Sequence, residues 1–446
     1  VLPKSDNIVA VATAPGRGGI GVVRVSGRDL LPMATTVLGF EPKPRYATYG
    51  SFLDAHGELL DKGIVLFFSA PHSYTGEDVI EFQGHGGTAV LQLVLQRCLD
   101  LGARLAQPGE FTQRAFLNGQ LDLAQAESVA DLINASSSQA AISAIRSLQG
   151  DFSQAITHLV DGLIQLRMLV EAMLDFPEEE IAVTDVVNRA TRIATLQGEL
   201  ESILNKAQQG SLLREGAHIV LAGRPNVGKS SLINCLSGEP VALVSEIPGT
   251  TRDVIRQAIY IQGIPLHIID TAGLRESQDI IEQMGIASAR NAIQQADVIL
   301  VLMDARNGMN TDDIKVISEL PQDIPKLYVY NKIDLLNEIE MVENLANTNP
   351  IYISVKTGMG LDLLRELLLK SIGWHSEAGV YMARKRHLIA LLSARDSLQR
   401  ATEEVNRAEI LAEDLRIAQE HLSAITGEYS SDELLGEIFS HFCIGK

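Results

Sequence analysis

A multidomain α/β protein is what the sequence predicts: an N-terminal α+β domain, a central α-helical domain in two parts, and a mostly parallel α/β domain inserted between those parts. Three observations carry this. Residues 1–118 mix short β-like runs (IVAVAT, GVVRVSG, GIVLFF, DVIEFQ) with glycine-rich turns (GRGGIG, GHGG) and one apolar helical stretch, AVLQLVLQRCLDLG. Two helical stretches flank the centre. The first, 119–210, holds DLAQAESVADLINASSSQAAISAIRSL as one long helix, then FSQAITHLVDGLIQLRMLVEAMLDF, halted at Pro177, then a segment through LQGELESILNKAQQ. The second, 376–446, holds RHLIALLSARDSLQRATEEV, ILAEDLRIAQEHLSAIT and SDELLGEIFSHF. Neither is long enough for a well-buried core of its own, so the two are expected to pack together. Between them, 211–375 alternates strand and helix (HIVLAG, SLINCLSG, PLHIID, ADVILVLMDA, KLYVYNKIDLL, IYISVKTG, LDLLRELLLKSI), the pattern of a mostly parallel sheet.

Composition narrows the class. A length of 446 residues and a hydrophobic fraction of 46% suit about three domains of ordinary core size. No run of about 18 apolar residues occurs, and VLPKSDNIVA lacks the basic-then-apolar pattern of a secretory signal, so a cytoplasmic protein without a membrane span is expected. The three cysteines, Cys98, Cys235 and Cys443, form no C-x-x-C pair, which argues against a disulfide framework or a zinc site. The ending HFCIGK places Cys443 where a lipidated box would, but Gly445 and Lys446 break that pattern. A net charge of −19 argues against a chain that grips nucleic acid over its whole surface; a basic partner would have to supply most of such a grip.

GRPNVGKSS follows a strand and opens a helix, the context that makes G-x-x-x-x-G-K-[ST] a P-loop. Gly223 and Gly228 let backbone N–H groups close around phosphate, Lys229 reaches the β and γ phosphates, and Ser230 is a Mg²⁺ ligand. DTAG (Asp270, Thr271, Ala272, Gly273) senses metal and γ-phosphate. NKID carries Asn331, Lys332 and Asp334, whose carboxylate matches guanine's ring N–H and exocyclic amine; adenine lacks that donor pair. SVK (Ser354, Val355, Lys356), which resembles the last G motif of the small GTPases, and TTRD, which resembles their switch I segment with Thr251 on Mg²⁺, complete the set and make GTP the expected nucleotide. The expected P-loop contacts are Asn226, Val227, Gly228, Lys229, Ser230 and Ser231, and resemblance to known GTPases adds Ser245, Glu246, Ile247, Pro248, Gly249, Thr250 and Thr251 ahead of the switch. Leu274 stands where a Ras-like enzyme has its water-orienting glutamine, leaving Arg275, Glu276 and Glu282 as candidates. GRGGIGVVRVSG reads as too glycine-rich for a packed element, and so as a tight loop near a ligand or another backbone.

GRPNVGKSS, TTRD, DTAGLRE and NKID in a domain set inside helices, with the GRGGIG head and the final CIGK, resemble the MnmE (TrmE) family of tRNA-modification GTPases over essentially the whole chain. The resemblance implies a K⁺-dependent GTPase whose G domains pair when GTP is bound. K⁺ would be held by Asn226 and by oxygens of Ser245, Ile247 and Thr250, in place of an arginine finger's charge; Arg252 and Arg275 are the finger alternatives. Glu282 would orient the attacking water.

The resemblance also makes the N-terminal domain a homodimerising, folate-binding one, taking 5-formyl- or 5,10-methylene-tetrahydrofolate. Arg24, Glu81, Gln120 and Lys446 would contact the ligand, Gln120 standing where the family usually has lysine. Cys443 would be catalytic or merely packed. His85 is expected to be a turn histidine satisfied by backbone, with a ligand contact as the alternative. The implied partner is the FAD-containing protein MnmG, in a heterotetramer that modifies C5 of the wobble uridine of tRNA to an aminomethyl or carboxymethylaminomethyl form. Two other classes share parts of this pattern: a ribosome-assembly GTPase, whose usual second G domain or KH module is absent after Trp374, and a folate-binding one-carbon enzyme with a regulatory G domain.

Overall fold

The computed structural model describes residues 6–175, 183–237, 256–270, 294, 296–336, 350–375, 379–428, 432–440, 442 and 445. The chain forms two compact units. One comprises Val1–Asn134, Ala144–Glu201 and Ile389–Lys446; the other comprises Ala135–Ser143 and Ser202–Leu388.

In the first unit, β1 (Ile8–Val11), β2 (Gly18–Gly27), β3 (Thr48–Leu53), β4 (Leu59–Phe68), β5 (Asp78–Gly86) and β6 (Arg104–Leu105) form one sheet in the order β3-β4-β5-β2-β1-β6. Its pairs are antiparallel except β1 with β6. Alternate side chains Val23, Val25, Phe52, Val65, Phe67, Ile80 and Phe82 pack against α1 (Leu31–Leu38) and α2 (Thr88–Asp100), and α3 (Glu110–Leu117) follows β6. The glycine-rich GRGGIGVVRVSG is not a loop. Most of it is the ten-residue strand β2, with a register shift between Gly18 and Gly21. The glycines make this possible, because a methyl group on Gly21 would lie 2.7 Å from the Leu91 side chain and 3.0 Å from the Gly86 backbone.

The long helix expected from residue 122 onward is two, α4 (Leu123–Ile133) and α5 (Ser138–Leu148). The break has a local cause: Asn134 closes α4, and the Ser137 hydroxyl accepts the Ala140 N–H to start α5 anew. Next come α6 (Asp151–Asp175) and α7 (Val183–Glu215), and after the second unit α11 (Lys385–Glu403), α12 (Ala408–Thr426) and α13 (Asp432–Ser440). α6 buries Phe152, Ile156, Leu159, Leu163, Leu166 and Val170, and α12 buries Leu411, Leu415, Ala418, Leu422 and Ile425. These are stripes of three- and four-residue spacing, and the two helices pack on each other, with Arg167 donating to Gln419 Oε1 at 2.6 Å. The two flanking helical stretches therefore do share a core.

The second unit holds β7 (Ala217–Ala222), α8 (Lys229–Leu236), β8 (Arg256–Ile261), β9 (Ile264–Asp270), β10 (Val298–Asp304), α9 (Thr311–Ser318), β11 (Lys326–Asn331), β12 (Ile351–Tyr352) and α10 (Leu361–Ser371). The strand order is β12-β11-β10-β7-β9-β8, parallel throughout except for the hairpin of β8 with β9, an edge strand that the sequence pattern did not reveal. β10 is buried at every position, as expected of a strand covered on both faces. Loops at the carboxyl ends of β7, β10 and β11 thus share one edge, where ligands of open α/β sheets bind.

Candidate functional site

In the second unit, β7 runs straight into the P-loop. Gly223 has φ 144° and Gly228 φ 104°. A methyl group on Gly223 would lie 2.3 Å from the Leu302 carbonyl oxygen, and one on Gly228 would lie 2.4 Å from Asn331 Nδ2, so neither position admits a side chain. Gly228 caps α8 without a side-chain acceptor. The N-terminus of that helix faces the P-loop, and Ser230 and Ser231 stand exposed on its first turn. The ammonium of Lys229, buried to 8% exposure, donates to the carbonyls of Gly223 at 2.7 Å and Arg224 at 3.1 Å.

Asn331 ties this loop to the rest. Its Nδ2 donates to the Val227 carbonyl at 2.9 Å, and its Oδ1 accepts the Val355 N–H at 3.1 Å. Lys332, at φ 73°, donates to the Asn226 carbonyl at 2.7 Å and to Asp304 at 2.8 Å. Asn226 itself sits at φ 63°. Ser354 Oγ donates to Asp334 Oδ1 at 2.7 Å and accepts the Thr357 N–H at 3.2 Å. Asp334 is exposed, as is Lys356 beyond it. An exposed carboxylate with one oxygen held by a hydroxyl suits the paired N–H donors of a guanine edge.

In the first unit, Arg24 and Glu81 face each other across β2 and β5 and form an ion pair at 2.8 Å, with side-chain exposures of 22% and 16%. The guanidinium also lies 5.7 Å from the Tyr74 ring centre and 5.8 Å from that of Phe111, and donates to the Gly445 carbonyl at 3.4 Å. Tyr74 and Phe111 carried no signal in the sequence. The chain's end reaches this place because Gly445, at φ 96°, packs on β1, where a methyl group would lie 2.5 Å from the Val11 carbonyl oxygen. Phe442, also buried, packs against Gly109.

Beside it runs an ionic network that sequence inspection missed. Glu110, with a fully buried side chain, accepts from Arg104 and Arg114, and both arginines also pair with Asp6. Arg114 further pairs with Glu77 at 3.0 Å, whose carboxylate accepts from the buried Ser26 hydroxyl. Burial pushes the Glu110 carboxyl up, but the two guanidinium groups and the Gln107 N–H outweigh it and hold the group below the ordinary glutamate range. His85 is exposed, and its ring nitrogen Nδ1 meets Asp61 at 2.7 Å. Its ring is satisfied by a carboxylate rather than by the expected backbone.

Comparison with known proteins decides the family. The family model described as the MnmE helical domain matches residues 123–443, and that described as the GTP-binding protein TrmE N-terminus matches residues 7–120. The protein named tRNA modification GTPase MnmE in Nitrosomonas eutropha is 57% identical over 451 residues, covering 100% of each chain. Those of the same name in Nitrosomonas europaea and Neisseria gonorrhoeae are 56% and 53% identical, over 100% and 99% of this chain and 100% of each relative. The chain belongs to the MnmE family.

Of the residues expected to serve an MnmE protein, the structure joins Val227 and Val355 through Asn331, Asn226 to Lys332, and Asp334 to Ser354 by hydrogen bonds, while Lys229 bonds to the Gly223 and Arg224 carbonyls and Gly228 lies against Asn331. Asp270 ends β9 beside Leu221 of β7. Gln120 is exposed beside Gly76, whose added methyl would lie 3.2 Å from its side chain. Ser245, Glu246, Ile247, Pro248, Gly249, Thr250, Thr251, Arg252, Thr271, Ala272, Gly273, Leu274, Arg275, Glu276, Glu282, Cys443 and Lys446 lie outside the described residues. Among the described residues no group of three or more His, Cys, Asp or Glu could hold a metal ion. No helix of the described residues is long and apolar enough to cross a membrane.

Proposed function

We propose that this chain is a tRNA-modification GTPase that hydrolyses GTP and, with an FAD-containing partner of the MnmG kind, uses a tetrahydrofolate one-carbon unit to modify C5 of the wobble uridine. The observation that carries the GTPase half is the position of Asn331, which joins the P-loop carbonyl of Val227 to the Val355 amide, so that the phosphate-binding and base-binding loops are one construction. Family membership supports the tRNA half, and the net charge of −19 supports a partner that supplies much of the tRNA contact.

Within that reading, Lys229 and the N-terminal N–H groups of α8 bind the phosphates, and Asp334 selects guanine. Ser230 and Thr251 would hold Mg²⁺. Asn226 with Ser245, Ile247 and Thr250 would hold K⁺. These cations supply neutralisation of the charge that spreads over the transferring phosphoryl group. Glu282 is the proposed water-orienting residue. Arg24 and Glu81, side by side on one sheet face, offer a fork of donors and a carboxylate acceptor to a folate, with Gln120, Lys446 and Cys443 as the further residues of that site. The chain acts as a homodimer.

The test is direct. Asp334→Asn replaces the acceptor with an amide that offers N–H to the base. GTP affinity should fall at least about 100-fold, while xanthosine triphosphate, which carries a carbonyl where guanine has its amine, should bind better than GTP. Cells with this variant as their sole copy should show unmodified wobble uridines. Normal wobble uridines with faulty ribosomal subunits would instead point to a ribosome-assembly GTPase.

A further inference from the structure

Asp304, the last residue of β10, stands opposite Asn331 in the β10–β11 register and is 5% exposed. None of the nucleotide motifs includes it. Its Oδ1 accepts from the Arg306 backbone N–H at 3.1 Å and from Arg306 Nε at 3.0 Å, and its Oδ2 accepts from Arg306 Nη2 at 2.7 Å and from Lys332 Nζ at 2.8 Å. The same ammonium donates to the Asn226 carbonyl. Both Lys332 and Asn226 are in the left-handed region, which asparagine tolerates but lysine rarely adopts unless neighbours hold it.

Peptide planarity gives this arrangement a consequence. The Asn226 carbonyl and the Val227 N–H belong to one trans peptide plane and point in opposite directions, as do the Val227 carbonyl and the Gly228 N–H. Lys332 takes the first carbonyl and Asn331 the second. Both carbonyls are thus turned toward the end of β11, and both P-loop N–H groups point away from it. Lys332 has a flexible four-carbon stem and keeps one geometry only if its ammonium is held at more than one point. Asp304 is the second point.

We propose that Asp304 is a positioning residue of the nucleotide site: by holding the Lys332 ammonium on the Asn226 carbonyl, it sets the direction of the P-loop N–H groups that grip a nucleoside di- or triphosphate. This rests on the guanine-nucleotide reading and extends it to a residue that touches no ligand. The carboxylate is dependably charged, because Arg306, helped by Lys332 and opposed by partial burial, holds it well below the ordinary aspartate range. Arg306 shares the load but among the described residues its side chain pairs with Asp304 alone, so its removal leaves the contact with Lys332 in place.

The experiment measures binding of fluorescent GDP to the full chain and its competition by GDP and IDP, which differ only in the 2-amino group of the base. Asp304→Asn should weaken GDP binding by about tenfold, the loss of one charge-assisted hydrogen bond. Preference for GDP over IDP should stay the same, since Asp334 is untouched. Arg306→Ala should bind GDP within about twofold of wild type, and Asp304→Glu, which keeps the charge, should regain most of the lost affinity. Equal affinity in Asp304→Asn and wild type would overturn the proposal. So would an Arg306→Ala variant as weak as Asp304→Asn, which would reduce the effect to stability of the turn after β10. Loss of the GDP-over-IDP preference in Asp304→Asn would overturn it as well. A wild-type chain that binds no GDP would sink the guanine-nucleotide reading itself, and with it this extension.

Discussion

The two units build their candidate sites in opposite ways. At the nucleotide site the contacts are mostly backbone: carbonyls of Gly223, Arg224, Asn226 and Val227 and the amide of Val355 are fixed by a few side chains from adjacent loops. At the Arg24 site the contacts are side chains drawn from the length of the chain, with Tyr74, Glu81 and Phe111 around the guanidinium and the Gly445 carbonyl arriving from 421 residues away. Backbone sites require special residues at fixed local spacing, because a tight turn must place successive N–H groups on one target. Side-chain sites require only that a sheet and a returning tail meet, so they leave little local spelling.

If this contrast is correct, damage to the buried ions of the first unit should leave the second unit working. Glu110→Ala removes a fully buried carboxylate shared by Arg104 and Arg114, which keep Asp6 and, for Arg114, Glu77, and should cost about 1–3 kcal/mol in unfolding of the first unit, measured by urea titration, with GDP affinity unchanged. A parallel loss of GDP binding would break the separation. The same carboxylate sets a pH dependence. Its folded-state pKa is depressed, as is that of Asp6, where the pairing with Arg104 and Arg114 outweighs burial. Their stabilisation is therefore present above the unfolded-state carboxylate values and is lost as pH falls through the lower folded ones. Glu110→Gln should flatten that acid limb.

Gly445→Val tests the returning tail. A branched side chain at φ 96°, aimed at the Val11 carbonyl, should cost about 1–3 kcal/mol of tail docking, seen as faster amide exchange in the last residues and weaker folate binding. Folate affinity unchanged by a released tail would remove the tail from the site. The smallest effect is expected from Tyr74→Phe, which deletes the hydroxyl bonded to Thr112 at 2.8 Å but keeps the ring beside Arg24, and should cost about 1 kcal/mol of stability with folate affinity nearly intact. A large loss of folate binding would show that the hydroxyl, and not the ring, serves the ligand.

Much of this was legible in the sequence, and unevenly. GRPNVGKSS and NKID announced their loops because glycines at Gly223 and Gly228 answer steric demands that no other residue meets. The helical stripes of α6 and α12 were equally plain, since burial on one side imposes their spacing. GRGGIGVVRVSG misled for the same reason that it works. Its glycines answer the close approach of Leu91 and Gly86, which composition alone cannot distinguish from a loop's freedom. The split between α4 and α5 depended on the Ser137 hydroxyl choosing a backbone partner in a run of serines that also suits a continuous helix.

What the sequence determined by itself was therefore whatever local sterics and periodicity dictate: the P-loop, the base-reading motif, the helical stripes and the order of the domains. Only the tertiary structure decided that Asp304 stands beneath Lys332, that Arg104, Arg114 and Glu110 share one buried network, and that Gly445 returns to Arg24. Apart from Glu110 and Arg114, which lie one turn apart on α3, those pairings join residues from separate strands, helices and termini. Charge attraction fixes which groups pair once they are near, but the packing of the whole unit is what brings them near.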